Sequence, residues 1–242
     1  EPSSPRYTKV KISPFVTEAI KQYYPLNKKN TEGGIDWLHV DLPIGMCTHI
    51  VGIAVGYSSN MLPRKMSDIK EYLDGKNKLL KPYFADFGGT VKKHPTMKKT
   101  WIISGQCDFD DKNMIIHIGD LPPLIRFDNF LKKLYLKMDE LGDDGKLDND
   151  SSKRVNLTIR WKNKSTWDEL KMMVDNLTTI GAIESLIFVK DGAIVEYEDF
   201  SDYLDEFKIH RERVFYKKML FDSEVTSDEL DFLYAKVDFL KY

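Results

Sequence analysis

The stretch "ESLIFVKDGAIVEYED" constrains the fold of this chain more than any other. Two runs rich in β-branched and aromatic residues flank Asp191-Gly192, a dipeptide that favours the positive φ of a tight hairpin turn. Directly after it the period changes. Tyr203, Leu204, Phe207, Arg211, Val214 and Phe215 mark a long helix, and Thr226 with Glu229 predicts the cap of another. An antiparallel hairpin running straight into helices belongs to a mixed architecture.

The same mixture recurs upstream. "KKTWIISGQCDF" and "KNMIIHIGDLP" flank the turn residues Asp110 and Asp111 and are predicted to pair as strands. In "RFDNFLKKLYLKM", Phe127, Phe130, Leu131, Leu134 and Met138 line one helical face, with Lys132, Lys133 and Lys137 opposite. "VTEAIKQYYPL" is predicted as a short helix ending before Pro25, and Ser67 is predicted to cap a helix that Gly75 ends. The acidic tract "DELGDDGKLDND" lacks calcium-loop spacing and is expected to be a solvated loop. "RVNLTIRW" alternates as a strand, and Thr166 with Glu169 predicts a capping box. The fold class is α+β.

Charge and composition exclude little about partners but much about chemistry. Against 38 Asp+Glu stand 36 Lys+Arg, a formal net charge of −2, so contact with a polyanion would rest on local basic patches. Cys47 and Cys107 form no metal-ligand spacing, and the five histidines show no HExxH or paired pattern. Walker-type loops, GxSxG and GxGxxG are absent. No apolar run approaches the eighteen or so residues that cross a bilayer, and the expectation is an intracellular protein without a membrane partner.

Two short motifs carry chemistry. In "SPRYTKVKIS", Tyr7, Lys9 and Lys11 share one face of an alternating strand, and Arg6 stands beside Tyr7. A phenol with an ordinary pKa of about 10 needs such cations to act as a nucleophile at neutral pH. An arginine fork also stabilises charge developing on phosphate oxygens. A surface tyrosine among lysines is the plain alternative. In "GIAVG", Ile53 sits between two glycines, and an isoleucine held on such a segment can wedge between DNA base steps. A buried strand bounded by glycines is the alternative there. Arg64 and Lys65 follow, as phosphate contacts or as an ordinary helix entry.

Together these segments resemble the type IIA DNA topoisomerases. "SPRYTKVKIS" is similar to that family's active-site segment in the wing of a winged-helix domain, and "GIAVGYSSNMLPRKMSDIKEYL" to its intercalating segment. "FADFGGTV" and "MIIHIGDLP" resemble strands of the family's tower, and "DYLDEFKIHRERVFYKKM" the helix leaving it toward the coiled-coil arms. The likeness is collinear over nearly the whole chain, and looks strongest toward the DNA-cleaving subunit of phage or viral enzymes. The chain departs from the family at Thr48-His49, where Asn-Gly is common, and its run from "LPI" to Ile53 is shorter.

The resemblance implies three regions: the end of a winged-helix domain over 1–30, a tower domain over 31–198, and helices leading to the coiled coil over 199–242. It implies Tyr7 as nucleophile forming a 5′-phosphotyrosyl link, Arg6 as transition-state stabiliser, Ile53 as wedge, and Lys9, Lys11 and Lys65 as phosphate contacts. It further implies double-stranded DNA as partner, a homodimer in the complete enzyme, and ATP-dependent strand passage. Mg²⁺ and ATP are expected on Toprim and ATPase domains of another chain or region, so this segment alone is expected to be inactive. A non-catalytic DNA-binding or scaffold module with the same tower shape is the rival reading. A protein-interaction domain without DNA is a third.

Overall fold

The computed structural model describes residues 39–242, except 77, 78, 143, 153, 191 and 242, together with Lys11, Ser13, Pro14, Thr17, Glu18 and Lys21. The helix expected over "VTEAIKQYYPL" and most of the 1–30 region lie outside the described residues. The chain forms two compact units. One is Ile44–Phe200; the other joins the described residues before Ile44 to those from Ser201 onward.

The first unit holds eleven named strands, and every named strand pair is antiparallel. Strands β1 (Ile50–Ala54) and β2 (Tyr57–Met61) make a two-stranded ribbon. Helix α1 spans Met66–Leu73, and β3 spans Thr90–Lys93. The predicted strand over "KKTWIISGQCDF" is divided at Gly105 into β4 (Thr100–Ser104) and β5 (Gln106–Asp110). These two halves serve different sheets. β4 lies between β3 and β9 (Thr179–Ile183), whereas β5 pairs with β6 (Ile115–Asp120) as expected.

The larger core follows from the predicted amphipathic pattern. Helix α2 (Phe127–Glu140) buries Phe130, Leu134 and Met138, and its lysine face stays exposed. Helix α3 (Trp167–Leu177) buries Trp167, Leu170 and Val174. Both pack with Ile116 and Ile118 of β6 and with Leu157, Ile159 and Trp161 of β8 (Leu157–Trp161). The alternation in β6 and β8 turns these residues to one face, the geometry of a sheet covered on one side.

Four local expectations are corrected. The acidic tract contains a strand, β7 (Gly145–Asn149), which pairs with β8. Its Asp148 is drawn into the ladder by Lys146 at 2.6 Å and Arg160 at 3.5 Å, and the Lys146 hydrogen bond is the main cause holding its carboxyl below the usual range. Ser67 lies inside α1, with Lys65 at the N-cap, although Gly75 does end the helix at φ +87°. Thr166 occupies the N-cap of α3 but makes no capping hydrogen bond; its hydroxyl accepts from Trp161 Nε1 at 2.9 Å. The two helices predicted near the end are one, α4 (Phe200–Leu240), and Thr226 donates back to the Asp222 carbonyl within it at 2.8 Å.

Gly145 shows how tightly β7 sits. A Cβ there would lie 2.3 Å from Cε3 of Trp161 and 3.0 Å from the Arg160 carbonyl oxygen. Gly145→Ala is therefore expected to lower unfolding free energy by about 1–3 kcal/mol, the usual cost of overpacking. A urea melt of the variant checks this.

Candidate nucleic-acid interface

The ribbon is built by a short turn. β1 and β2 pair from Ile50↔Met61 to Ala54↔Tyr57, leaving Val55 and Gly56 as the loop, with Gly56 at φ +82°. Strand alternation puts Val51 and Ile53 on one face, and Val55 follows in the turn. None is buried, and Ile53 is 86% exposed. A row of apolar side chains held in water at the tip of a ribbon is an interaction surface in search of an apolar partner.

Such a ribbon is marginal alone, so its base must be held elsewhere. Strand β10 (Leu186–Lys190) pairs with β11 (Ala193–Tyr197) in the hairpin expected around Asp191-Gly192, and Gly192 has the positive φ, +80°. Just before β10, Ser185 and Asn60 exchange backbone hydrogen bonds of 2.9 Å in both directions. Ser185 Oγ also donates to the Ser58 carbonyl at 2.8 Å. His49, at the foot of β1, contacts Asn60 Oδ1 through Nε2 at 2.8 Å, and Asn60 Nδ2 donates to the Ile183 carbonyl at 2.7 Å.

Below the ribbon lies a buried ion pair. The Arg64 guanidinium grips Glu184 bidentately, Nη1 to Oε1 at 2.9 Å and Nη2 to Oε2 at 2.7 Å. Arg64 further donates to the Leu62 carbonyl at 2.8 Å and to the Leu80 carbonyl at 2.7 Å. Glu184 accepts from the Leu62 amide at 3.0 Å and from Trp101 Nε1 at 2.7 Å. The Phe200 ring faces the guanidinium carbon at 4.6 Å. With Arg64 only 2% exposed, neither alternative left open for it, phosphate contact or ordinary helix entry, holds: it braces the ribbon's base from within. Glu184, which makes this possible, carries no signal in the sequence around it.

The other predicted site residues fall as follows. Arg6, Tyr7 and Lys9 lie outside the described residues, and Lys11 is described and exposed. Lys65 is exposed at the N-cap of α1, with its ammonium over the Tyr83 ring, Nζ 5.5 Å from the ring centre. Ile53 and Lys65 belong to the same unit. Nearby Lys99 is engaged by Glu196 at 2.6 Å and Glu198 at 3.8 Å. The Glu196 hydrogen bond chiefly raises its pKa.

Among the described residues, no three His, Cys, Asp or Glu side chains converge to hold a metal ion. Both thiols are raised above their ordinary pKa by burial, which disfavours the reactive thiolate. What the ribbon offers is a braced pair of exposed apolar side chains, Val51 and Ile53, with an exposed lysine in the same unit.

Residues 1–241 match the family model for the A-type subunits of DNA gyrase and topoisomerase IV. The fold is similar to the crystal structure of the Plasmodium falciparum topoisomerase II DNA-binding, cleavage and re-ligation domain, with a TM-score of 0.71 and 17% identity. The likeness covers 84% of this chain and 30% of that one. No curated protein sequence matches the chain. Among the described residues no helix is long and apolar enough to cross a membrane.

Proposed function

The chain belongs to the DNA gyrase/topoisomerase IV family of A-type subunits, and from that premise we propose that it is part of the cleavage core of a type IIA DNA topoisomerase, cutting and resealing duplex DNA to let another duplex pass. The observation that carries the DNA-bending part of this reading is Ile53, 86% exposed on a ribbon whose base is stitched into the core. Inserted between base steps, such a side chain unstacks and kinks the duplex. Lys65, Lys11 and Lys9 contribute charge toward backbone phosphates.

In the proposed reaction the deprotonated phenolic oxygen of Tyr7 bonds to a backbone phosphorus while the P–O3′ bond breaks. The 3′ oxygen leaves with the bonding electrons and takes up a proton from water in place of the one the phenol gave up, the phosphate stays on the 5′ end as a tyrosyl ester, and Arg6 neutralises the charge developing on its oxygens. Attack by the 3′-hydroxyl reverses each bond change. The ester conserves the phosphodiester's bond energy, so resealing needs no further reactant.

In this reading Mg²⁺, which stabilises attacking and leaving oxygens in chemistry of this kind, is held by a Toprim domain. ATP is assigned to an ATPase domain. Both domains belong, in this reading, to another chain or region of a homodimeric assembly. Accordingly, this chain by itself is expected to bind DNA without cleaving it.

The test is DNA bending by the assembled enzyme, read by energy transfer between the ends of a short labelled duplex. Truncating the wedge in Ile53→Ala removes the atoms that unstack the step, an effect of about 2 kcal/mol or more in the bent state. The ratio of bent to straight duplex should fall at least about thirtyfold, with DNA still bound through phosphates. An unchanged bend in Ile53→Ala would remove the wedge from the account.

A further inference from the structure

Two side-chain hydrogen bonds of Asn60 link the ribbon to His49 and to the end of β9, away from Ile53 itself. Asn60 sits on β2, opposite Val51 and two residues from Ser58, the partner of Ile53. Its backbone is bound in both directions to Ser185, so the amide side chain has little freedom. The Ile183 carbonyl can only accept, which obliges Asn60 to present Nδ2 there, at 2.7 Å, and Oδ1 to His49, at 2.8 Å. An oxygen at that place calls for a proton on His49 Nε2. One amide thus ties together the foot of β1, β2 one pair above the ribbon's base and the end of β9.

We infer that His49 and Asn60 are positioning residues for DNA bending: their hydrogen-bonded clamp onto Ile183 holds the β1–β2 ribbon at the angle from which Ile53 enters the duplex. The geometry separates this clamp from the Arg64–Glu184 pair. That pair is buried and holds the base of the ribbon together, whereas His49 is exposed and its side chain adds nothing to the core. What His49 restrains is rotation of β1 about its foot. A wedge at the end of a five-residue strand moves by several ångströms for a small swing at the base, enough to miss a base step about 3.4 Å thick.

This inference rests on the wedge reading of Ile53, and the experiment separates the two. The assembled enzyme is compared in four forms, parent, His49→Ala, His49→Gln and Ile53→Ala, for the ratio of bent to straight duplex and for melting temperature. His49→Ala should lower the ratio about fivefold, the effect of one hydrogen bond, without lowering the melting temperature. His49→Gln, whose amide nitrogen can reach the place of Nε2, should restore it. If His49→Ala keeps the parent's ratio while Ile53→Ala loses it, the clamp is overturned and the wedge stands. Failure of His49→Gln to restore bending, or a melting temperature that falls in step with it, also overturns the clamp. If Ile53→Ala keeps the parent's ratio, the wedge reading fails and takes the clamp with it.

Discussion

Glu184→Ala is expected to destabilise the chain by about 3–5 kcal/mol, because it strands a buried guanidinium without its counter-charge. Arg64 and Glu184 side chains are 1% and 6% exposed, so water cannot replace what is lost. The damage extends beyond the pair. Glu184 also satisfies the Leu62 amide and the Trp101 indole, both of which lose their acceptor. Replacing both partners by apolar residues often rescues a buried ion pair, but here Arg64 serves the Leu62 and Leu80 carbonyls. An Arg64→Met, Glu184→Leu double variant should therefore recover only part of the loss. Denaturant unfolding of the two variants and the parent measures this, and a loss below about 1 kcal/mol in Glu184→Ala would contradict a bracing role.

Tyr7→Phe is expected to abolish covalent attachment to DNA completely. The substitution removes the single oxygen that forms the bond to phosphorus and leaves the ring, so no residual pathway through this side chain exists. DNA affinity should change by less than about tenfold, since only one hydroxyl's hydrogen bonding is removed. Supercoiled plasmid incubated with the assembled enzyme and Mg²⁺, then quenched with denaturant, reports the adduct; a binding isotherm at fixed salt reports the affinity. Loss of both together would indicate a structural tyrosine. Persistence of the adduct in Tyr7→Phe would assign the nucleophile elsewhere.

What the sequence discloses of this fold is what neighbouring residues decide. The pairing of β10 with β11 and the lysine-backed face of α2 are set within a few residues, and both appear where local pattern puts them. The α+β class follows from such pieces. By contrast, Arg64 and Glu184 stand 120 positions apart, and nothing beside either one announces a buried pair. An arginine after such a motif reads equally as a phosphate contact or as a solvated helix entry until its partner is known. β7 was hidden by its acidic composition, which the ladder tolerates because Lys146 and Arg160 offset Asp148. At Thr226 the capping signal is real, but the helix continues through it, and the hydroxyl turns back to Asp222. Of the candidate site, the glycines flanking Ile53 suit an exposed ribbon and a buried strand alike, so its exposure comes from the structure, and the His49–Asn60 clamp depends on a strand register that short motifs do not encode.

The chemistry proposed for this chain turns on one bond, between Tyr7 and the 5′ end of cut DNA. The most direct measurement is to trap the cleaved complex with denaturant, trim the DNA with nuclease, digest with trypsin and sequence the nucleotide-bearing peptide by mass spectrometry. The predicted result is nucleotide mass on the peptide that begins at Tyr7, following cleavage after Arg6. Nucleotide on any other residue, or DNA that is bound and bent by the assembled enzyme with no peptide modified, would contradict it.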